Sequence, residues 1–205
     1  DSLHVINPLR SDYISEKLDV TGIKAIDVAC GGGLLAESLH LKGAEMTGVD
    51  ISDVAIHTAT IHAEKQGLEI KYLNCEAEDL LPAEKESYDL VTCLEAIEHV
   101  PDPAKLVETC SNLCKPGGTI VFSTINRNPK SFLFAIIGAE YILNLLPKGT
   151  HEYKKFIKPS ELSSMMRDNS LEVIEVIGMS YNPITKNYWL GKDVDVNYLI
   201  HARKK

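Results

Sequence analysis

The stretch from Lys24 to Leu41 constrains the fold more than any other part of the chain. Lys24-Ala25-Ile26-Asp27-Val28-Ala29 reads as a buried strand, Cys30-Gly31-Gly32-Gly33 as a turn, and Leu34 to Leu41 as a helix stopped by Gly43. A buried strand that passes through consecutive glycines straight into a helix belongs to a parallel sheet with helical crossovers. The same unit recurs. Glu45 to Asp50 is a second strand, Ser52 caps a helix to Gln66, and Glu69 to Asn74 is a third strand. Tyr88 to Leu94 is a fourth strand and Ala104 to Cys114 the helix after it. Lys115-Pro116-Gly117-Gly118 is then a turn into a fifth strand, Thr119 to Thr124. This alternation predicts an α/β fold with a mostly parallel sheet and helices on both faces.

After Asn126 the pattern changes. A long apolar helix is expected from Pro129 to Leu146, and another near Pro159-Ser160. Leu171 to Ser180 and Val194 to Ala202 read as strands joined by a turn-rich stretch. Two late strands with no helix between them predict an antiparallel hairpin at the sheet edge, seven strands in all. At 205 residues the chain suits a single domain over 1–205, with an inserted lid at about 129–158.

Charge narrows the partners. The net charge of −8 repels a phosphate backbone, so nucleic acid is excluded as a substrate. The five cysteines, Cys30, Cys75, Cys93, Cys110 and Cys114, form no CxxC pair, which points to a reducing compartment without structural disulfides. No apolar run approaches the roughly 20 residues of a membrane span, and no signal-peptide pattern is visible. A cytoplasmic location is expected. The start at Asp1 is abrupt, so a trimmed N-terminal segment is also expected.

Ligands in open α/β sheets bind beyond the carboxyl ends of the strands. Four such ends stand out. The turn through Ala29 and Gly31 lets the backbone pass close under a ligand. Asp50 can accept hydrogen bonds from both hydroxyls of a ribose. Ala77, in Cys75-Glu76-Ala77-Glu78-Asp79, lies where an adenine would meet polar groups, and the Leu94 backbone can border the other end of the ligand. A dinucleotide is disfavoured because the G-x-G-x-x-G spacing is absent. Asp27 would repel a pyrophosphate and suits a ligand carrying an ammonium. A tight turn without a ligand is the plainer alternative.

Glu95, Glu98 and His99 follow the fourth strand. On a helix these positions share one face, and two carboxylates and an imidazole would converge. Two chemistries stay open: His99 as a general base, or a divalent cation held by Glu95, Glu98 and His99. Glu98 could also simply orient His99. The other histidines, His4, His40, His57, His62, His151 and His201, are scattered and read as surface or packing residues.

Asp27 to Gly33, Val49-Asp50 and Lys115-Pro116-Gly117-Gly118 resemble motifs of class I S-adenosylmethionine-dependent methyltransferases. Ile6-Asn7-Pro8-Leu9-Arg10, Glu95-Ala96-Ile97-Glu98-His99-Val100, Ser123 to Arg127, Pro147 to His151, Tyr181-Asn182-Pro183 and Val196-Asn197-Tyr198 narrow the resemblance to the ubiquinone-biosynthesis O-methyltransferase family, over nearly the whole chain. The resemblance implies a Rossmann-like fold, S-adenosyl-L-methionine as methyl donor and Arg10 as a contact to it. It also implies a divalent metal, magnesium first, on Glu95, Glu98 and His99. The implied acceptor is a polyprenylated phenol or catechol, methylated at both O-methylation steps. Association with other ubiquinone-biosynthesis proteins is implied as well. The family usually has glycine where this chain has Ala29. An apolar segment at 132–146 followed by Lys148, Lys154, Lys155 and Lys158 would suit peripheral contact with the inner membrane, on the matrix face in a mitochondrion. The rivals are another small-molecule methyltransferase, a non-catalytic cofactor-binding subunit and a dehydrogenase.

Overall fold

The computed structural model describes residues 2–131, 153–182, 185 and 187–205. The expected apolar helix and lid at 129–158, with the membrane-contact segment 132–146, lie mostly outside the described residues, as do His151 and Pro183. Eight strands form one sheet: β1 (Lys24–Val28), β2 (Glu45–Asp50), β3 (Lys71–Asn74), β4 (Tyr88–Leu94), β5 (Cys114–Ile125), β6 (Leu171–Asn182), β7 (Asn187–Gly191) and β8 (Asn197–Lys204). Their order is β3-β2-β1-β4-β5-β8-β6-β7. The first five are parallel, and β8, β6 and β7 pair antiparallel.

Helices cover both faces, as expected. They are α1 (Ser2–Lys17), α2 (Leu34–Leu41), α3 (Asp53–Gln66), α4 (Leu81–Glu84), α5 (Pro103–Leu113), α6 (Pro129–Ser131) and α7 (Pro159–Asp168). One core gathers Val107, Cys110 and Leu113 of α5 with Leu162 and Met166 of α7 under the sheet. The other gathers Tyr13 and Ile14 of α1 with Leu35, Ala36 and Leu39 of α2. Local chemistry sets the helix ends. Ser52 Oγ accepts from Ala55 N and Asp102 from Lys105 N, each capping a first turn. At the far end of α5 the buried Lys204 ammonium donates to Ser111 O and Cys114 O, satisfying carbonyls that the helix leaves open.

Three expectations need correcting. The sheet has eight strands, because Asn187–Gly191 pairs with β6 from Gly178 to Asn182. The edge hairpin is therefore β6–β7, and the last strand inserts between β5 and β6. Lys115 to Gly118 do not precede β5 but lie within its bounds, where the register to β4 shifts between Tyr88 and Leu90. Gly117 (φ 78°) supplies the left-handed residue that this irregularity needs. Cys114 accordingly begins β5 and does not continue the helix before it.

Candidate active site

The chain reverses its direction of growth between β1 and β4, which are neighbours in the sheet. A cleft opens beyond the carboxyl ends of these two strands, where such a reversal leaves space. It is walled by Asn7 and Arg10 of α1, by Asp27, the turn from Ala29 to Gly32, Leu34 and Leu35 of α2, and by Leu94 and Glu95. Its volume of about 190 Å³ is below the ~300–1,000 Å³ of a typical small-molecule pocket. Asp50 and Ala77 lie outside its walls.

The floor is built from the first strand end. Cys30 N donates to Val49 O of β2 at 3.0 Å, and Gly33 N to Cys30 O at 3.0 Å, which closes the turn. Ala29 (φ 57°) and Gly31 (φ 52°) are both left-handed. That conformation explains why glycine suits position 29, where alanine costs about 1 kcal/mol. Gly33 is also left-handed, and a Cβ there would collide with the Tyr72 ring. Asp50 sits in this framework with both oxygens engaged: Gly31 N reaches Oδ2 at 2.9 Å and Ser52 N reaches Oδ1 at 2.8 Å. Each oxygen keeps a second lone pair, so two ribose hydroxyls could still be accepted. Ala77 begins a tight helical turn after β3 and is buried. Asn7 Nδ2 donates to Leu34 O and Ser38 Oγ and ties α1 to the start of α2.

Asp27 is buried at the back of the cleft and accepts from Thr92 Oγ1 at 2.7 Å. Burial raises its pKa to about 7, against the lowering effects of the Thr92 hydroxyl and the Arg10 charge. Burial, then the charges of Asp27 and Asp50, push the Cys30 thiol up, so it stays protonated beside the cleft.

The second strand end departs from expectation. Residues 95–100 form a bend and a turn, not a helix. Glu95 is left-handed (φ 55°), which a right-handed helix cannot include, and Pro101 and Pro103 stop any continuation. Its backbone is held by Ser123: Glu95 N donates to Ser123 O at 3.0 Å and to Ser123 Oγ at 3.2 Å. The turn separates the three expected partners. Glu98 is buried at 3% exposure, whereas His99 is exposed. Among the described residues no three His, Cys, Asp or Glu side chains gather as metal ligands, so the expected trio is not assembled.

Glu95 is instead the hub of a network. Its Oε1 accepts from Arg10, from Ser123 Oγ at 3.1 Å and from Asn197 Nδ2 at 2.9 Å. Glu98 Oε2 accepts from Thr124 Oγ1 at 2.9 Å, and its other oxygen has no partner. Burial, followed by repulsion from Glu95, lifts the Glu98 pKa to about 8. Thr92, Ser123, Thr124 and Asn197 had no assigned role from sequence. All four lie on strands, where periodicity marks them as sheet residues and nothing local marks them as polar partners.

A methyltransferase-domain family model matches residues 26–122. The ubiquinone biosynthesis O-methyltransferase of Marinobacter nauticus is 57% identical over 203 residues, covering 98% of this chain and 85% of that protein. The protein of the same name from Saccharophagus degradans is 54% identical, with coverages of 98% and 86%. Magnesium protoporphyrin IX methyltransferase from Synechocystis, solved with bound SAH, superposes with a TM-score of 0.71 at 16% identity. It covers 100% of this chain and 84% of that one, and it shows the fold.

Proposed function

The chain belongs to the ubiquinone biosynthesis O-methyltransferase family, and from that premise we propose that it methylates a phenolic or catechol hydroxyl of a polyprenylated ubiquinone precursor, at both O-methylation steps. The methyl donor is S-adenosylmethionine. Asp50 holds the ribose, Ala77 borders the adenine, and Gly31, Ala29 and Leu94 border the methionine part. The Arg10 Nε, buried and without a partner, donates to the methionine carboxylate. The observation that carries this reading is the cleft running from Asp27 to Glu95, with Arg10 bonded to Glu95 across it.

The chemistry asks for alignment and a base. An acceptor hydroxyl with a pKa near 10 loses its proton, and the oxygen lone pair attacks the methyl carbon. The carbon–sulfur bond breaks and its electrons stay on sulfur, leaving S-adenosylhomocysteine. In the route without a metal, His99 takes the proton, and its exposure lets the proton pass on to water. Cys30, the nucleophile beside the cleft, is silenced by its raised pKa, so it does not compete for the methyl group.

A divalent cation, magnesium first, is part of the proposal. In its support, Glu98 Oε1 is buried without a partner and Glu95 repels the Glu98 charge, although the three ligands do not stand together in this structure. Glu95, Glu98 and His99 would hold the ion, which would lower the pKa of the acceptor hydroxyl when bound. Among the described residues no helix is long and apolar enough to cross a membrane. Contact with a membrane surface through 132–146 is proposed from the polyprenyl tail of the acceptor and the exposed Lys154, Lys155 and Lys158. Association with other proteins of the pathway is proposed from the family alone.

Label transfer from methyl-labelled S-adenosylmethionine to a short-chain catechol tests the reading. Transfer that falls after chelation and returns with magnesium is expected. Cofactor binding without transfer to any phenol would overturn the reaction, and transfer indifferent to chelation would remove the metal and leave His99 as base.

A further inference from the structure

Four buried side-chain atoms among the described residues have no hydrogen-bond partner: Arg10 Nε, Glu98 Oε1, Asn197 Oδ1 and His201 Nδ1. Such atoms are costly to bury, so a native fold keeps few of them. Arg10 and Asn197 both donate to Glu95 Oε1, and Glu98 lies in the turn that Glu95 opens. Three of the four unmet atoms thus gather around one carboxylate. Arg10 Nε is a donor and Asn197 Oδ1 an acceptor, yet they do not satisfy each other.

Asn197 is placed by the sheet. It opens β8, opposite Ile125 at the end of β5 and Met179 of β6. The backbone beside it is fixed by Asn126 N donating to Val196 O at 2.8 Å. Its Nδ2 is committed to Glu95 at 2.9 Å, which leaves Oδ1 turned to a neighbourhood that supplies no donor. The missing partner must carry an N–H or O–H. An amide oxygen is far too weak a base to remove a phenolic proton, so it suits a hydroxyl that keeps its proton. The attacking oxygen of the acceptor does not keep its proton; a neighbouring ring hydroxyl does.

We propose that Asn197 is a specificity-determining contact for the acceptor, with Nδ2 aligning Glu95 and Oδ1 accepting from the ring hydroxyl next to the one being methylated. The contact favours vicinal diols over monophenols. The inference rests on the function proposed above.

The test compares kcat/KM for a short-chain catechol and the matching monophenol, with S-adenosylhomocysteine binding measured by calorimetry alongside. Wild type should prefer the catechol. Asn197→Ala removes both contacts, so kcat/KM should fall for both substrates, and about ten-fold further for the catechol than for the monophenol, the size of one lost hydrogen bond. Asn197→Asp keeps an accepting oxygen but repels Glu95, so both substrates should fall while the preference survives. If the alanine variant does not bind S-adenosylhomocysteine, Asn197→Ser is read in its place. An equal loss for both substrates with alanine, no loss for either, or a wild-type preference for the monophenol would overturn the contact while leaving the reaction in place. No transfer by wild type to either substrate would overturn the contact and the reaction together.

Discussion

The two ends of the proposed site are finished to different degrees. At the cofactor end, Asp50 takes a backbone N–H on each oxygen, Asp27 takes the Thr92 hydroxyl, and the turn closes on its own amides. At the acceptor end, Glu98 and Asn197 each keep a buried oxygen without a partner. The first end is made by backbone emerging from adjacent parallel strands, so its geometry is complete before a ligand arrives. The second is made by side chains from α1, the turn after β4, β5 and β8 that meet at Glu95. A common donor molecule can be met by a rigid floor. The proposed acceptor is met by groups whose satisfaction depends on what binds.

The largest expected effect lies at the finished end. With Asp27 at about 7 when folded and an ordinary carboxylate value of 3.8 when unfolded, the unfolded chain loses its proton first. The ligand-free protein should therefore lose stability as pH rises from about 4 to about 7, by on the order of 4 kcal/mol from this group. Asp27→Asn, which can still accept from Thr92, should remove that part of the slope in denaturant titrations at pH 5 and pH 8. An unchanged slope would mean that the back of the cleft is wetter than its burial implies.

Next in size, Asp50→Ala should weaken S-adenosylhomocysteine binding about 100-fold, since it removes charge-assisted contacts and loosens the turn at Gly31. Calorimetry reads this directly, and a loss under about three-fold would dissolve the distinction between the two ends. The smallest effect sharpens the comparison from the other side. Ser123→Ala removes one prop of the left-handed Glu95 and should lower kcat about ten-fold. S-adenosylhomocysteine affinity should stay within about two-fold; a parallel loss in affinity would show that the ends are not separable.

The same division explains what could be read from the amino-acid order. Asp27, the glycine turn and Asp50 were legible because buried apolar runs ending in glycine or an acid give both the strand and the position of its end. The Glu95–His99 turn was not. Glu-Ala-Ile-Glu-His has the composition of a helix, and only tertiary contacts to Ser123 reveal that Glu95 is left-handed. Ala29 was visible as a departure from the family's glycine, but its positive φ had to be seen. The antiparallel region misled for a different reason. Asn187 to Gly191 is short and sits among turn residues, and no local pattern tells that Val121 lies opposite His201 while Val173 lies opposite Ala202.

That last pairing governs how the molecule can be assembled. β6 and β7 form a hairpin on their own, but they meet the parallel strands only through β8, which follows them in sequence. Until residues 197–204 are available, β5 and β6 both present open edges, the surfaces most prone to pair with the wrong chain. The two sheet halves should therefore behave as separate kinetic units joined in a late step, one slowed by the long loops it must close. Asn197, the first residue of that strand, reaches Glu95 only when the step is complete, so the acceptor end is assembled last.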